Sequence, residues 1–290
     1  MSHLDRFPHG TIQRDVALPT GVRLRTYRRG PTDAPTILFL HGFPELALSW
    51  RAQLEALGDD FHTVAVDMRG FGGSSKPRHR RAYRLDLLRA DIESLIDELG
   101  GNVHLVGHDW GAIVAWDLAM HDRERLRTLT ILNCPPLGVV QREVLRNRSQ
   151  LRMSWYTLFY QLPRLPEWLM RRRARELAVQ AFRESASRKE PFTDAALEPY
   201  AAQFRDREFG GPNYYRANLI PQRPLKRVAV PTRIVWGMND PFLGPWFAER
   251  GAYPFVENLE LHRVERCGHW IQQEAPEEVT AHIRAHVESR

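Results

Sequence analysis

Three residues far apart in the chain have side chains and an order that suit nucleophilic catalysis. Asp109 lies within Gly107-His-Asp-Trp-Gly111, Asp240 follows one apolar run, and His269 follows the last apolar run. A nucleophile, an acid and a histidine in this order are typical of hydrolytic enzymes whose nucleophile stands on a sharp strand-to-helix turn. Each residue alone has a structural alternative, such as a helix cap. Three matches in order, each after a predicted strand, favour a catalytic triad.

The nucleophile of this triad is a carboxylate, and that residue type selects the chemistry. A carboxylate such as that of Asp109 can displace a leaving group at saturated carbon, which gives a covalent alkyl ester. His269 would then activate water to hydrolyse the ester, while Asp240 orients the imidazole. The backbone N–H groups of Trp110 and Phe43 are the candidate oxyanion hole, since Trp110 begins a helix and Phe43 follows the first core strand. These five residues form a complete hydrolytic site.

The elements that must position these residues alternate between strand and helix. The pattern predicts strands at 12–18, 22–27, 36–40, 61–66, 103–106, 126–132, 232–236 and 259–264, and helices at 50–57, 85–99, 112–120 and from 270 to the C-terminus. Apolar strands alternating with helices predict a mostly parallel sheet flanked by helices. Residues 135–223 are helical in pattern. We therefore predict an α/β core formed by 1–134 and 224–290, with 135–223 inserted as an α-helical cap over the carboxyl ends of the strands.

Composition and charge limit the classes of partner. The chain has 290 residues, 43% hydrophobic and 26% charged, as expected for a globular α/β core with an insertion. The net charge of +6 raises nucleic acid or an anionic membrane as partners. However, the bases are scattered among acids, and the densest run, Arg171 to Arg175, reads as a helix face. We predict a solvated surface and no nucleic-acid partner.

The cysteines and the apolar runs favour a cytoplasmic protein. Cys134 and Cys267 are too far apart in sequence for CxxC metal spacing, although a single bridge stays open. The N-terminal sequence lacks an apolar signal core, and no run reaches the roughly 20 apolar residues that span a bilayer. The sequence predicts no membrane insertion, and a monomer or homodimer.

The motifs together resemble a known family. HGFP at 41–44, GHDWG at 107–111, the acid at 240 and GHWIQQEAPEEV at 268–279 are similar to the epoxide hydrolases of the α/β-hydrolase fold superfamily, over the whole chain. The resemblance implies an α/β-hydrolase fold with an α-helical cap. It also implies hydrolysis of an epoxide to a vicinal diol through an ester on Asp109.

The resemblance further implies two cap tyrosines that hold the epoxide oxygen. Tyr156 and Tyr215 are the preferred pair by register with the polar residues that follow, and Tyr160 and Tyr214 are the competing choices. An alkoxide leaving group benefits from a proton donor, and a tyrosine, with a pKa of roughly 10, can supply one. Either tyrosine could instead serve packing.

Two other functions stay open. A haloalkane or haloacid dehalogenase would share the Asp109 nucleophile, and its halide would need N–H donors. The Trp110 indole offers one donor and the Phe43 side chain none, but Trp155 or Trp168 could supply another. The other alternative is a non-catalytic ligand-binding protein on the same fold.

The substrate is expected to be apolar. Aromatic residues of the helical segment suggest an apolar pocket for a hydrophobic epoxide: Trp155, Phe159, Phe182 and Phe204. Phe43, Trp110 and Trp155 are the predicted substrate-binding residues. The pair His282 and His286 has helical spacing but no further ligand. We expect no metal and no organic cofactor, because water and side chains complete the cycle.

Overall fold

The computed structural model describes residues 4–219 and 224–289, and one eight-stranded sheet forms its centre. The strands are β1 Ile12–Ala17, β2 Arg23–Arg29, β3 Thr36–Leu40, β4 His62–Asp67, β5 Val103–His108, β6 Leu126–Leu132, β7 Thr232–Gly237 and β8 Leu259–Val264. Their order is β1-β2-β4-β3-β5-β6-β7-β8. Only the pairs β1–β2 and β2–β4 are antiparallel. The predicted mostly parallel sheet is confirmed.

Helices cover both faces of the sheet, which explains why its central strands are buried along their whole length. Every residue of β4, β5 and β7 is buried, as expected for parallel strands between two helical layers. The helices are α1 Arg51–Leu57, α2 Leu85–Glu98, α3 Trp110–His121, α4 Leu137–Arg146, α5 Arg148–Met153, α6 Trp155–Phe159, α7 Leu165–Arg172, α8 Ala174–Ala178, α9 Asp194–Arg205, α10 Pro212–Ala217, α11 Ile271–Glu274 and α12 Pro276–Glu288.

The prediction of a single helix from Trp270 to the C-terminus is wrong, because the helix is interrupted between α11 and α12. Ala275, between them, has φ −133° and ψ 57°. Pro276 has no N–H to donate, and its ring disfavours the helical conformation of the preceding residue. The same proline suits the first turn of α12, where its fixed φ is already helical.

Among the described residues, the segment between β6 and β7 contains the helices α4 to α10 and no strand. It contacts the core at the carboxyl ends of the strands. Gln203 of α9 donates to the Pro44 carbonyl at 3.0 Å and accepts from the Gly72 N–H at 3.1 Å. The Tyr214 hydroxyl of α10 donates to the Arg69 carbonyl at 2.7 Å. The predicted end of the insertion, at residue 223, lies outside the described residues.

Two further expectations concern the cysteines and the membrane. Cys134 and Cys267 are both buried and free, so the single bridge left open by the sequence is absent. Of the helices in residues 4–219 and 224–289, none is long and apolar enough to cross a bilayer.

Candidate active site

Asp109 stands on a strained turn between β5 and α3. Its φ of 48° and ψ of −118° fall in a region that a residue with a side chain rarely adopts. The flanking glycines make this turn possible. A Cβ at Gly107 would lie 2.7 Å from the Ala112 Cα, and one at Gly111 would lie 2.3 Å from the Leu40 carbonyl oxygen. The turn therefore lifts the carboxylate beyond the edge of the sheet.

Two backbone N–H groups face the Asp109 carboxylate, as the oxyanion-hole prediction requires. The Phe43 N–H donates to Asp109 Oδ1 at 2.7 Å, and the Trp110 N–H also donates to this carboxylate. Gly42 permits the close approach, because a Cβ there would lie 2.4 Å from Asp109 Oδ1. The Phe43–Pro44 peptide is cis. Burial raises the pKa of Asp109, while the charges of His269 and His108 and the two N–H groups act to lower it.

The Asp240 carboxylate is held by donors on both of its oxygens. Its Oδ2 accepts from His269 Nδ1 at 2.7 Å and from the Asn133 side-chain amide at 2.7 Å. Its Oδ1 accepts from the N–H groups of Phe242 and Leu243 at 2.7 and 2.9 Å. This geometry fixes the tautomer and the orientation of the His269 imidazole.

The other imidazole nitrogen faces the nucleophile. His269 Nε2 lies 3.8 Å from Asp109 Oδ2, and the histidine side chain is buried. Burial acts to lower the pKa of His269, but the Asp240 carboxylate, through its charge and its hydrogen bond, and the Asp109 charge outweigh it and raise the pKa to about 9. At neutral pH the His269 imidazole of the resting site is therefore protonated, and it lies between the side chains of Asp109 and Asp240.

A buried polar network behind the triad was not predicted. His108 donates from Nε2 to the His269 carbonyl at 2.8 Å and from Nδ1 to Glu45 at 2.5 Å. The Gln272 side-chain amide also lies 3.2 Å from Nδ1, so this ring links Glu45 and Gln272 to the loop that carries His269. Burial acts to raise the pKa of Glu45, but the His108 charge lowers it to about 2. The second Glu45 oxygen accepts from Gln272 at 2.6 Å and from Gln273 at 3.2 Å.

Asn133 was also missed, although the sequence contained a signal for it. It follows β6 directly, at the only core strand end between β5 and β8 to which no role was assigned. Its φ of 44° turns its side chain toward Asp240, and its Oδ1 accepts from the Gly237 N–H at 2.8 Å. Asn133 thereby ties the ends of β6 and β7 together.

The tyrosines of the helical segment lie opposite the nucleophile. The rings of Tyr156 and Tyr215 are 5.9 Å apart and perpendicular, and both residues line the same two cavities as Asp109. Tyr160 lines only one of these cavities and stacks on Tyr215 at 4.9 Å. Tyr214 lines neither, since its hydroxyl bonds to the Arg69 carbonyl. The arrangement favours the pair 156 and 215.

The two cavities have volumes of about 340 and 410 Å³ and share Asp109, Tyr156 and Tyr215 as lining residues. The smaller, here the Trp110 cavity, is also lined by Trp110 and aliphatic side chains. The larger, here the Phe43 cavity, is lined by residues that include Phe43, Trp155, Phe159, Phe204, His269 and Trp270. Trp155, predicted to bind substrate, is 65% exposed and forms an outer part of the wall.

Phe182 has a packing role, since it lies against Trp270 at 4.5 Å and lines neither cavity.

Burial of the Tyr156 hydroxyl, with the Asp109 charge, holds the pKa of Tyr156 well above its usual value. Burial also raises the pKa of Tyr215 well above its usual value.

Within the described residues, no group of three or more His, Cys, Asp or Glu side chains could hold a metal ion.

This geometry agrees with what comparison with known proteins finds. The profile of the alpha/beta hydrolase family matches residues 37–282. Epoxide hydrolase 1 of Caenorhabditis elegans is 35% identical over 272 residues, which cover 91% of this chain and 67% of the relative. Epoxide hydrolase A of Mycobacterium tuberculosis is 34% identical over 299 residues, 90% of this chain and 92% of the relative. The chain belongs to the epoxide hydrolase branch of the alpha/beta hydrolase family.

Solved structures extend the match for this family member to the whole backbone. The crystal structure of epoxide hydrolase A from Mycobacterium thermoresistibile superposes with a TM-score of 0.84 at 28% identity, and the match covers 96% of this chain and 98% of that one. The helices over the sheet are therefore included in the similarity. The predicted fold class and the family resemblance are confirmed.

Proposed function

We propose that this enzyme hydrolyses an apolar epoxide to a vicinal diol through a covalent ester on Asp109. One observation carries the proposal: the Asp109 carboxylate and two tyrosines line the same pair of apolar cavities. A nucleophile for carbon and donors for oxygen thus flank one space. An epoxide requires both groups, because the carbon that is attacked and the oxygen that leaves are adjacent atoms.

In the first half-reaction, Asp109 Oδ2 attacks an epoxide carbon. Oδ1 is held by the Phe43 N–H and becomes the ester carbonyl. The carbon–oxygen bond of the epoxide breaks, and the oxygen takes a proton from Tyr156 or Tyr215. As the Asp109 charge disappears, His269 gives up its proton, which returns to the phenolate and leaves the imidazole neutral. Both phenols are weak acids here, but an alkoxide is a far stronger base than a phenolate. As negative charge leaves Asp109 it appears beside the tyrosines, where a hydrogen bond is then worth most.

In the second half-reaction, His269 takes a proton from water, and the resulting hydroxide attacks the carbonyl carbon of the Asp109 ester. The N–H groups of Phe43 and Trp110 stabilise the oxyanion. Asp240 stabilises the imidazolium, which then protonates the departing diol oxygen. One oxygen of water ends in the Asp109 carboxyl group, whose proton passes to His269 to restore the resting site, and the diol is released. Water and side chains supply every step.

We also propose that residues 135–223 act as the cap. This segment supplies Tyr156 and Tyr215, and α9 and α10 hold it to the core through Gln203 and Tyr214. The substrate space therefore lies between the helical segment and the strand ends, where ligands of open α/β sheets bind.

Neither of the two tryptophans considered as a second halide donor is buried at the site. Trp168 is 49% exposed and lines neither cavity, while Trp155 is 65% exposed. A donor so open to water would give up little hydration and would bind a halide weakly. The non-catalytic alternative leaves the complete hydrogen-bonded triad without a purpose.

The test measures product and intermediate together. Purified enzyme is incubated with styrene oxide and, separately, with 1-bromobutane, and diol and bromide are assayed. A single turnover in ¹⁸O-water with enzyme in excess is followed by mass spectrometry of the peptide that contains Asp109. We expect diol, no bromide, and label in Asp109.

Three results would contradict the proposal. Bromide without diol would assign a dehalogenase. Diol with the label in its own oxygen, and none in Asp109, would replace the ester with direct attack by water. Absence of both products, with no alkyl adduct in His269→Gln, would refute the enzymatic function. Asp60→Asn is the matched control, since this exposed carboxylate lies outside both cavities.

A further inference from the structure

The positive charge of the chain is concentrated in one part of the helical segment. Residues 142–175 contain nine arginines and two acidic residues, an excess of seven positive charges. The whole chain has an excess of six, so the remainder carries one net negative charge. All nine arginines are exposed: Arg142, Arg146, Arg148, Arg152, Arg164, Arg171, Arg172, Arg173 and Arg175. The sequence predicted basic residues that are solvated and scattered among acids. These arginines are solvated, but they are concentrated rather than scattered.

The exposed large hydrophobic side chains are concentrated in the same stretch. Ten such residues occur in the described parts of the chain, and seven of them lie within 142–175: Leu145, Leu151, Trp155, Leu158, Leu162, Leu165 and Trp168. Leu145 is 83% exposed and Trp155 65% exposed. A cluster of exposed apolar residues of this size indicates an interaction site. The nine arginines and these seven residues are called the arginine–leucine surface below.

The arginines of this surface have few acidic partners. Among the described residues, only Arg173 and Arg175 of the nine form ion pairs, with Glu176 and Asp194. The two acids within 142–175 are themselves engaged, Glu143 by the Asn147 amide and Glu167 by Arg216. Most of the positive charge is therefore available to an external anion.

Part of the arginine–leucine surface lies in the walls of the two substrate cavities. Leu145, Leu151 and Leu158 line the Trp110 cavity, and Trp155 lines the Phe43 cavity. On α7, the spacing of Leu165, Trp168 and Arg172 places them on one face, and the Arg172 guanidinium lies over the Trp168 ring at 5.9 Å. A partner on this surface would cover the routes into the site.

The combination of side chains selects the partner. Exposed tryptophan and leucine among arginines are the features of protein surfaces that lie in the interface of an anionic membrane. A symmetric second copy would bring two sets of nine arginines together, which repel each other. A nucleic acid would pair with the arginines but leave the leucines in water. We propose that the arginine–leucine surface docks this enzyme on an anionic phospholipid bilayer.

Docking in this orientation would open both cavities toward the acyl layer. An apolar epoxide dissolved in the bilayer could then reach Asp109 without crossing water. This consequence for the substrate rests on the proposed function, whereas the docking itself does not. Binding to vesicles is therefore measured without any epoxide.

The experiment is co-sedimentation of the full chain with vesicles of phosphatidylcholine, with and without phosphatidylglycerol, at low and high salt. We expect binding only with phosphatidylglycerol and its loss at high salt. Each basic residue near such a surface strengthens binding about fivefold, so R171E/R172E should weaken it at least about 25-fold. L162S/W168S should also weaken it. These four residues line neither cavity.

The matched control is R80E/R81E, which changes net charge equally at another exposed site and should retain most of the binding. Thermal melts establish that every variant is folded. Equal weakening by R80E/R81E would overturn the proposal in favour of a net-charge effect. So would absence of binding to phosphatidylglycerol vesicles. Self-association in solution that L162S/W168S abolishes would also overturn it, because the surface would then join two copies.

Discussion

Removal of the Asp109 carboxylate should turn His269 from a bound imidazolium into a neutral base at pH 7. In the intact site the pKa of His269 is about 9, and the Asp109 charge contributes to that rise. In the proposed mechanism, esterification of Asp109 by the substrate removes the same charge. The variant Asp109→Ala therefore imitates the electrostatics of the intermediate without any substrate.

The size of this effect follows from one distance. Asp109 Oδ2 and His269 Nε2 are 3.8 Å apart. At an effective dielectric constant of about 20, two unit charges at roughly this separation attract by about 4 kcal/mol. That energy corresponds to about a thousandfold in the proton affinity of the imidazole. The pKa of His269 should accordingly fall from above neutrality to below it, and the released proton balances the one that the epoxide oxygen must gain.

The assay is an NMR titration of ¹³C-labelled histidine side chains. The chain has twelve histidines, so the His269 signal is assigned by its loss in His269→Gln. Asp109→Ala should shift the midpoint of that signal to lower pH by a thousandfold in proton concentration, whereas Asp60→Ala should leave it near 9. A midpoint in Asp109→Ala that stays near 9 would refute the reasoning, because Asp240 alone would then hold the proton.

Four further outcomes are expected. His269→Gln should slow ester hydrolysis by about 10²–10⁴-fold, so that intact mass spectrometry finds the alkyl adduct on Asp109 during turnover. Tyr156→Phe and Tyr215→Phe should each slow alkylation by about 10²-fold in stopped-flow single turnovers, and Tyr214→Phe, whose hydroxyl bonds only to the Arg69 carbonyl, should not. Asn133→Ala leaves the Gly237 N–H and an Asp240 lone pair unsatisfied and should lower the free energy of unfolding in urea by about 1–3 kcal/mol. The raised pKa of His269 stabilises the folded state fully below pH 6.5 and no longer above pH 9. The free energy of unfolding of the wild type should therefore fall across that interval by about 3 kcal/mol more than that of His269→Gln. Equal pH profiles of the free energy of unfolding for the two proteins would contradict this assignment.

The sheet could be predicted because its signals are local. Each buried strand contains a short apolar run, and each member of the predicted triad lies within five residues of the end of a strand. Parallel strands bring their carboxyl ends to one edge, so residues 109, 240 and 269 had to approach one another. The break before α12 was also local. Pro276 carried the signal, and the apolar periodicity on both sides of it concealed the break.

The polar network behind the triad could not be predicted in the same way. Glu45 and His108 meet because β3 and β5 are neighbours in the sheet, and no spacing in the sequence encodes that adjacency. The distribution of exposure is a further case. Trp155 looked like a pocket residue by type, and only the packing of α6 reveals that most of it faces solvent.

The division of the site between two parts of the chain has a consequence for how such enzymes diversify. In the proposed mechanism, the groups that form and hydrolyse the ester lie at strand ends, and the tyrosines that donate to the leaving oxygen lie on α6 and α10. Replacement of the helical segment would therefore change which bond of the substrate is broken, while the residues that hydrolyse the ester and regenerate the nucleophile stay the same. An evolving enzyme could in this way accept a new kind of electrophile and still hydrolyse the covalent ester, so that the new substrate does not inactivate it.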